Sequence, residues 1–345
     1  MKSRLNSKLT ITEVLATVGA FLAVAYVTSP ILAQAKSDGK LGGKISAERN
    51  LSLANSMYSA ENETFVSEDG VVPFKSVMPI KGGKLSPMAR LKPGNGIMGV
   101  STGHGINYHN GPVMTGTIHA YVIWYGAWTA SDQSLVSNFI SNLGGSAYFN
   151  INTTYGDNTG DVSGQLTLAG TTVDTGSQGT KSLTDTKILN IVKSALSTGK
   201  FPYDSNGIYL VLTGSNVTKS GFCTQYCGWH TRASINGFDI KYSFVGNPVK
   251  CPSSCAAQSP GPNGSVGADG MVSIIAHEVE EAATDPDLNA WYDASGAENA
   301  DKCAWTFGTT SGASGGKYNV TFGGKNYLVQ QNWVNAGTGF CAMHL

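Results

Sequence analysis

The sequence predicts an α/β domain: a mixed, layered sheet with flanking helices, folded as a disulfide-bonded single domain. Three observations lead there. Runs rich in aromatic and β-branched residues alternate along the chain with apolar stripes of helical period, the pattern of strands and helices stacked in layers. Six cysteines stand at positions 223, 227, 251, 255, 303 and 341. The N-terminus has the layout of an export leader, so those cysteines are expected in an oxidising compartment, where they pair.

The elements follow in order. Lys2 and Arg4 precede an apolar run from Val14 to Val27, and Ala33 and Ala35 then form an Ala-x-Ala cleavage pattern. That run is shorter than the ~20 residues a spanning helix needs. Residues 1–35 are therefore expected to be a signal peptide cut after Ala35, with Ala33 as the second candidate and no membrane segment left after cleavage. Residues 36–105 carry scattered Gly, Pro and Lys without sustained periodicity and predict a flexible N-terminal arm or pro-region. The α/β domain is expected over 106–345.

Ile118–Tyr125 predicts a buried strand ending at Gly126. Ser131 is placed to cap a helix bearing Leu135, Val136, Phe139, Ile140 and Leu143, stopped by Gly144-Gly145. A second amphipathic helix spans Thr184 to Ser197, with Ile188, Ile191, Val192, Ala195 and Leu196 on its apolar face and Gly199 beyond its end. Strands are expected at Gly207–Thr213 and Phe238–Val245, and short ones at Tyr318–Phe322 and Tyr327–Gln331 around a Gly323-Gly324 turn. No internal repeat is present.

The formal net charge is zero and 13% of residues are charged, which argues against a nucleic-acid partner, since such partners normally need a basic patch. A polar surface rich in Gly, Ser, Thr and Asn suits a secreted, extracellular protein. Sequons at Asn50, Asn62, Asn152, Asn216, Asn263 and Asn319 predict surface glycans if the host is a eukaryote. Sequence proximity suggests pairing Cys223–Cys227 and Cys251–Cys255, leaving Cys303–Cys341. Cys223, Cys227 and His230 holding zinc is the lesser alternative.

The chemistry concentrates in a helix with Asp269 as its expected N-cap and Pro286 past its end. Met271, Val272, Ile275, Val279, Ala282 and Ala283 share one face. His277 and Glu281 sit one turn apart on an adjacent face, with Glu278 between them and the apolar side. His-Glu-x-x-Glu varies the His-Glu-x-x-His pattern, in which two residues four apart grip a metal and the intervening Glu takes a proton from water. The expected ligands are His277 and Glu281, with Glu298 first and Asp301 second for the remaining position, and Glu278 as the catalytic base. Zinc is the expected ion, and an imidazole–carboxylate set also leaves manganese, iron or calcium open. Two other readings stand beside it: His277 as a core histidine with Glu278, Glu280 and Glu281 on a solvated face, or an acidic crowd including Asp285, Asp287 and Asp293 that binds calcium for structure.

No Gly-x-Ser-x-Gly elbow set between a strand pattern and a helix pattern is present, and paired cysteines leave no thiolate nucleophile. His104, His109 and His119 are isolated and read as structural or exposed. Trp124, Tyr125 and Trp128 read as core rather than as a platform for sugars.

Several segments resemble one family. Tyr108-His109-Asn110-Gly111-Pro112 followed by Val122-Ile123-Trp124-Tyr125-Gly126 is one block. Gly221-Phe222-Cys223 with Cys227-Gly228 and His230 is a second, and Phe244-Val245-Gly246-Asn247-Pro248 with Cys251-Pro252-Ser253-Ser254-Cys255 a third. Pro262-Asn263-Gly264 with Val266-Gly267-Ala268-Asp269-Gly270-Met271 is the fourth. Together, over about residues 105 to 345, they resemble the EXORDIUM or phosphate-induced proteins of plant cell walls. The resemblance implies a secreted, apoplastic or wall-associated protein linked to growth; the hydrolase reading expects an extracellular peptide as partner, and a non-catalytic wall factor would bind a cell-wall polymer. One departure stands out. Where plant members usually have a bland Ala/Leu/Gly stretch before Thr-Asn-Pro, this chain has an acidic helix before Thr284-Asp285-Pro286. Either a metal-dependent hydrolase is retained here, or a non-catalytic extracellular role carries over and the acids are incidental.

Overall fold

The computed structural model describes backbone at residues 58–59, 64–67, 70–73 and 100–101, and backbone with side chains at 75–83 and 102–345. The expected leader, residues 1–35, lies outside the described residues. The strands that form the frame are Lys75–Pro79 (β1), Ile118–Tyr125 (β2), Leu166–Asp174 (β3), Gly207–Thr213 (β4), Tyr226–Ile235 (β5) and Phe238–Val245 (β6). Among the described residues the α-helices are Ala130–Ser141 (α1), Asp185–Ser197 (α2), Pro252–Cys255 (α3) and Val266–Thr284 (α4).

The strands make one six-stranded sheet in the order β3-β2-β4-β6-β5-β1. The first four are mutually parallel, while β5 runs antiparallel to both of its neighbours. It is a mixed sheet with helices on both faces, as the alternation of strand and helix patterns predicts. Strands covered on both sides read as continuous apolar runs. That is why β2 and β4 stand out in the sequence, with β4 buried along its whole length.

On one face α2 packs through Ile188, Ile191 and Val192 against Tyr121, Tyr209, Trp229 and Phe244. On the other, α1 and α4 bring Phe139, Ile140, Met271, Ile275 and Val279 against Ile118, Val122, Leu210 and Val245. Trp124 and Tyr125 belong to these cores, and Trp128 packs edge-on against Trp124. The histidines read as isolated are likewise engaged: His119 Nδ1 lies 2.6 Å from Asp204, and His109 stacks on Tyr292. The sequon at Asn152 is buried, with its amide donating to the Phe149 carbonyl, so it is no glycan site.

Several expectations need correction. Lys75–Pro79, inside the span 36–105 read as an arm, is the outer strand beside β5, with Val77 and Met78 buried. Its five residues are too few to establish a period amid flanking Gly and Pro. The helix caps fall elsewhere too. Thr129 rather than Ser131 caps α1, and Ser265 rather than Asp269 caps α4, each hydroxyl accepting a first-turn N–H. The C-terminal hairpin is tighter than expected, pairing Val320–Phe322 with Lys325–Tyr327.

The disulfides join Cys223 to Cys251, Cys227 to Cys255 and Cys303 to Cys341. The two local pairings are therefore wrong, and so is the cysteine-based zinc alternative. Cys251 and Cys255 lie one helical turn apart at α3, both turned toward the segment entering β5, so they bridge across rather than to each other.

β1 is tied down by charge. The carboxylate of Asp185, at the start of α2, pairs with the ammonium groups of Lys75 and Lys219. Burial alone would raise its pKa, but the two lysines overcome that and hold it below the usual carboxylate range. A depressed folded-state pKa contributes stability above the ordinary value and loses it as pH falls through the folded one. Asp185→Asn should cost about 3 kcal/mol near neutrality. Urea unfolding should show that gap to the parent closing in acid, as the parent's Asp185 takes up its proton. A gap unchanged by pH would contradict this.

Candidate metal centre

Strand alternation sets the floor of the site. Trp229 and Thr231 of β5 point toward α2, so Gly228, His230 and Arg232 point toward α4. His230 pairs in register with Ser76 on β1 and Ser243 on β6, two small side chains that leave room above the sheet. Gly228 lets α4 settle close. A Cβ there would fall 2.7 Å from both Glu278 Oε1 and Ile274 Cγ2.

α4 supplies the roof. Eighteen of its nineteen residues are buried, so it is no amphipathic surface helix but a core helix covered on all sides. The acids expected on a solvated face are inside: His277, Glu278, Glu280 and Glu281 are each 0% exposed. That overturns the solvated-face reading.

The loop after α4 closes the site. Asp293 Oδ1 accepts from the backbone N–H of Ser295 and Ala297, and Lys302 reaches Asp293 Oδ2 at 3.2 Å. This turn delivers Glu298 and Asp301 inward, at 0% and 9% exposure. Gln330 holds the loop by donating to the Ala300 carbonyl at 2.9 Å. The Asp301 N–H donates to Glu281 Oε1 at 3.1 Å.

The side chains converge. His277 Nε2 lies 3.0 Å from Glu281 Oε1 and 3.4 Å from Asp301 Oδ1. His230 Nδ1 lies 3.4 Å from Glu278 Oε2 and 3.4 Å from Glu281 Oε2, and its Nε2 lies 3.6 Å from Glu298 Oε2. Two trios of ligand atoms result, His277–Glu281–Asp301 and His230–Glu281–Glu298. The residues expected at the site from sequence lie in one buried cluster, with Glu278 among them, but Glu298 groups with His230, and Asp301 is the acid beside His277.

All of these gaps exceed the 2.7–2.9 Å of a charge-assisted hydrogen bond. Neither ring nitrogen of His230 or His277, and neither oxygen of Glu278, makes a hydrogen bond. Buried polar atoms almost always find partners, so this group of orphaned atoms needs an account. Donors bonded to one tetrahedral ion at about 2.1 Å stand about 3.4 Å apart, the spacing seen here. Imidazole nitrogens and carboxylate oxygens without thiolate suit zinc, manganese or iron, whereas calcium prefers oxygen alone.

The electrostatics show how tense the cluster is. Burial alone would lower the His230 pKa, but Glu278 and Glu281 raise it to about 9. Burial likewise opposes charge on His277, and Glu281 with Asp301 overcomes it. Burial raises Glu278 to about 7, against the pull of the two histidines. Glu281 is held far below the usual range because His277 and His230 outweigh its burial. Glu280 points elsewhere, and burial keeps it protonated well above the usual range. The Tyr148 hydroxyl touches Glu280 Oε2 at 3.1 Å and donates to the Gln330 carbonyl at 2.8 Å. One hydroxyl proton cannot serve both, and a neutral Glu280 resolves the conflict by donating back to Tyr148.

His230 is the residue that sequence reasoning missed, because its neighbourhood in the chain ties it only to the cysteines. The signal that finds it is the alternation of Gly228, His230 and Arg232 along a strand whose other face carries Trp229.

With the geometry in place, comparison with known proteins adds context. Residues 106–343 match the phosphate-induced protein 1 conserved region. EXORDIUM-like 3 of Arabidopsis thaliana is 37% identical over 269 residues, covering 66% of this chain and 80% of that protein. EXORDIUM-like 5 of the same plant is 35% identical over 273 residues, covering 66% and 75%. PHOSPHATE-INDUCED 1 of Nicotiana tabacum is 31% identical over 217 residues, covering 54% and 67%. No solved structure matches the chain.

Proposed function

The chain belongs to the phosphate-induced protein 1 family, and from that premise we propose that it is a secreted EXORDIUM-like protein of the extracellular space or cell wall carrying a metal-dependent, peptidase-like hydrolase site. Export is supported by the leader pattern of residues 1–35 and by three disulfides, which persist in oxidising compartments. Among the described residues no helix is long and apolar enough to cross a membrane.

The observation that carries the hydrolase reading is the His277–Glu281 pair on one helix turn, met by Asp301 and flanked by Glu278. His277, Glu281 and Asp301 would hold the ion. A divalent ion there supplies Lewis acidity and an activated water. Glu278, whose oxygens make no hydrogen bond, would act as general base toward a water held there, and would return the proton it takes to the amine released when the carbon–nitrogen bond breaks. Asp301 is fixed to the helix through its N–H on Glu281, so the acids keep their spacing through the cycle.

Glu278→Gln should reduce turnover of a peptide library by at least about 100-fold while leaving bound metal unchanged. Unchanged turnover in that variant would overturn the role given to Glu278. A second reading has its own support in the complete burial of the site: structural metal sites are closed, whereas catalytic ones keep an open position. On that reading the ion braces the domain, and the protein acts by binding a wall polymer. Metal retained, with no hydrolysis by the parent and measurable binding to a wall fraction, would favour the brace.

A further inference from the structure

We infer that the cluster is a binuclear centre, with a second divalent transition ion held by His230, Glu281 and Glu298 and with Glu281 bridging the two ions. The inference rests on the metal reading above and deepens it.

The bridging geometry is on Glu281 itself. Its Oε1 faces His277 at 3.0 Å, while its Oε2 faces His230 at 3.4 Å. A carboxylate serving one ion would turn both oxygens, or one, toward a single group of donors. Here each oxygen addresses a different imidazole, on a different element: Asp301 faces the same His277 nitrogen as Glu281 does, while Glu298 faces Nε2 of His230, across the ring from the Nδ1 that Glu281 faces.

Within each trio the ligand atoms lie within 4.8 Å of one another, near enough for a small inward movement to bring them onto one ion. The donors sort into two such groups, with Glu281 common to both. Two-metal hydrolytic sites set their ions about 3.5–4 Å apart, the span one bridging carboxylate covers.

The second group also passes the test that a cluster of acids alone fails. His230 is 1% exposed, and neither of its ring nitrogens makes a hydrogen bond. It projects from the sheet between Ser76 and Ser243, whose hydroxyls are themselves buried without hydrogen-bond partners. A buried imidazole with two idle nitrogens amid carboxylates costs stability unless something occupies the space between them. Imidazole with carboxylate suits zinc or manganese better than calcium.

The experiment uses the purified full chain, stripped with chelator, loaded with zinc alone and freed of excess by gel filtration. Metal is then measured against protein sulfur. The parent is expected to retain two zinc ions per chain, and His230→Ala to retain one. Glu298→Gln, which keeps the side chain's shape, should also retain one and serves if the alanine variant does not fold. A parent with one ion, unchanged in both variants, overturns the second site and leaves the hydrolase reading standing. A parent with none overturns both. Variants that still hold two ions remove His230 and Glu298 from the assignment. Variants that hold none show a single joint centre and overturn the bridge.

Discussion

Glu281→Gln should leave the purified protein without bound metal and without hydrolytic activity. Of all the residues in the chamber, Glu281 alone belongs to both groups of donors. The substitution keeps the side chain's length and an oxygen able to accept the Asp301 N–H, so the loop carrying Asp301 stays anchored. What it removes is the anionic charge and one oxygen donor, since an amide nitrogen is no ligand. Changing residues that merely support metal ligands costs about 10–100-fold in affinity, so loss of a shared ligand should exceed about 100-fold. Elemental analysis after gel filtration, with circular dichroism to confirm folding, checks the outcome. A folded Glu281→Gln protein that keeps its metal would remove Glu281 from the ligand set.

Chelation should lower the melting temperature by about 10 °C. An ion present at about 100 to 1,000 times its dissociation constant contributes about 3–4 kcal/mol to the folded state. For a domain of this size each kcal/mol is worth about 2–4 °C. The chain should still fold without metal, because the disulfides and the apolar cores on both sheet faces do not depend on the cluster. Zinc should restore the lost stability, whereas calcium at the same concentration should not, because the site offers two imidazoles among its oxygens. Recovery with calcium would instead support the structural acidic-site reading. No shift on chelation would count against a metal in the folded protein.

Part of this is legible in the sequence, and the reasons differ by element. β2 and β4 announce themselves because buried strands are apolar along nearly all their length, and β6 because its residues alternate. β3 does not, because it is an edge strand that alternates half-buried and exposed residues beyond Leu166, with Thr and Gly through its middle. α4 shows itself in its apolar and acidic spacing, but its first turn does not. Gly270 weakens the helical signal, and it is there because a Cβ would meet Pro248 at 2.6 Å and Ala256 at 3.1 Å.

The candidate site divides the same way. His277, Glu278 and Glu281 share one helix, so their proximity follows from its pitch. Glu298 and Asp301 are within reach as the second acidic cluster downstream of the helix. His230 comes from an antiparallel strand far away in sequence, and only the sheet's order places it under α4. The disulfides fail for a related reason. Nearness along the chain suggests Cys223–Cys227, but the observed bridges lace two separate segments together.

X-ray absorption at the zinc edge of the loaded, gel-filtered protein tests the account most directly. It predicts a first shell of nitrogen and oxygen at about 2.0–2.2 Å with imidazole scattering beyond it and no sulfur. A shell containing sulfur, or one of water oxygens without imidazole, would contradict it.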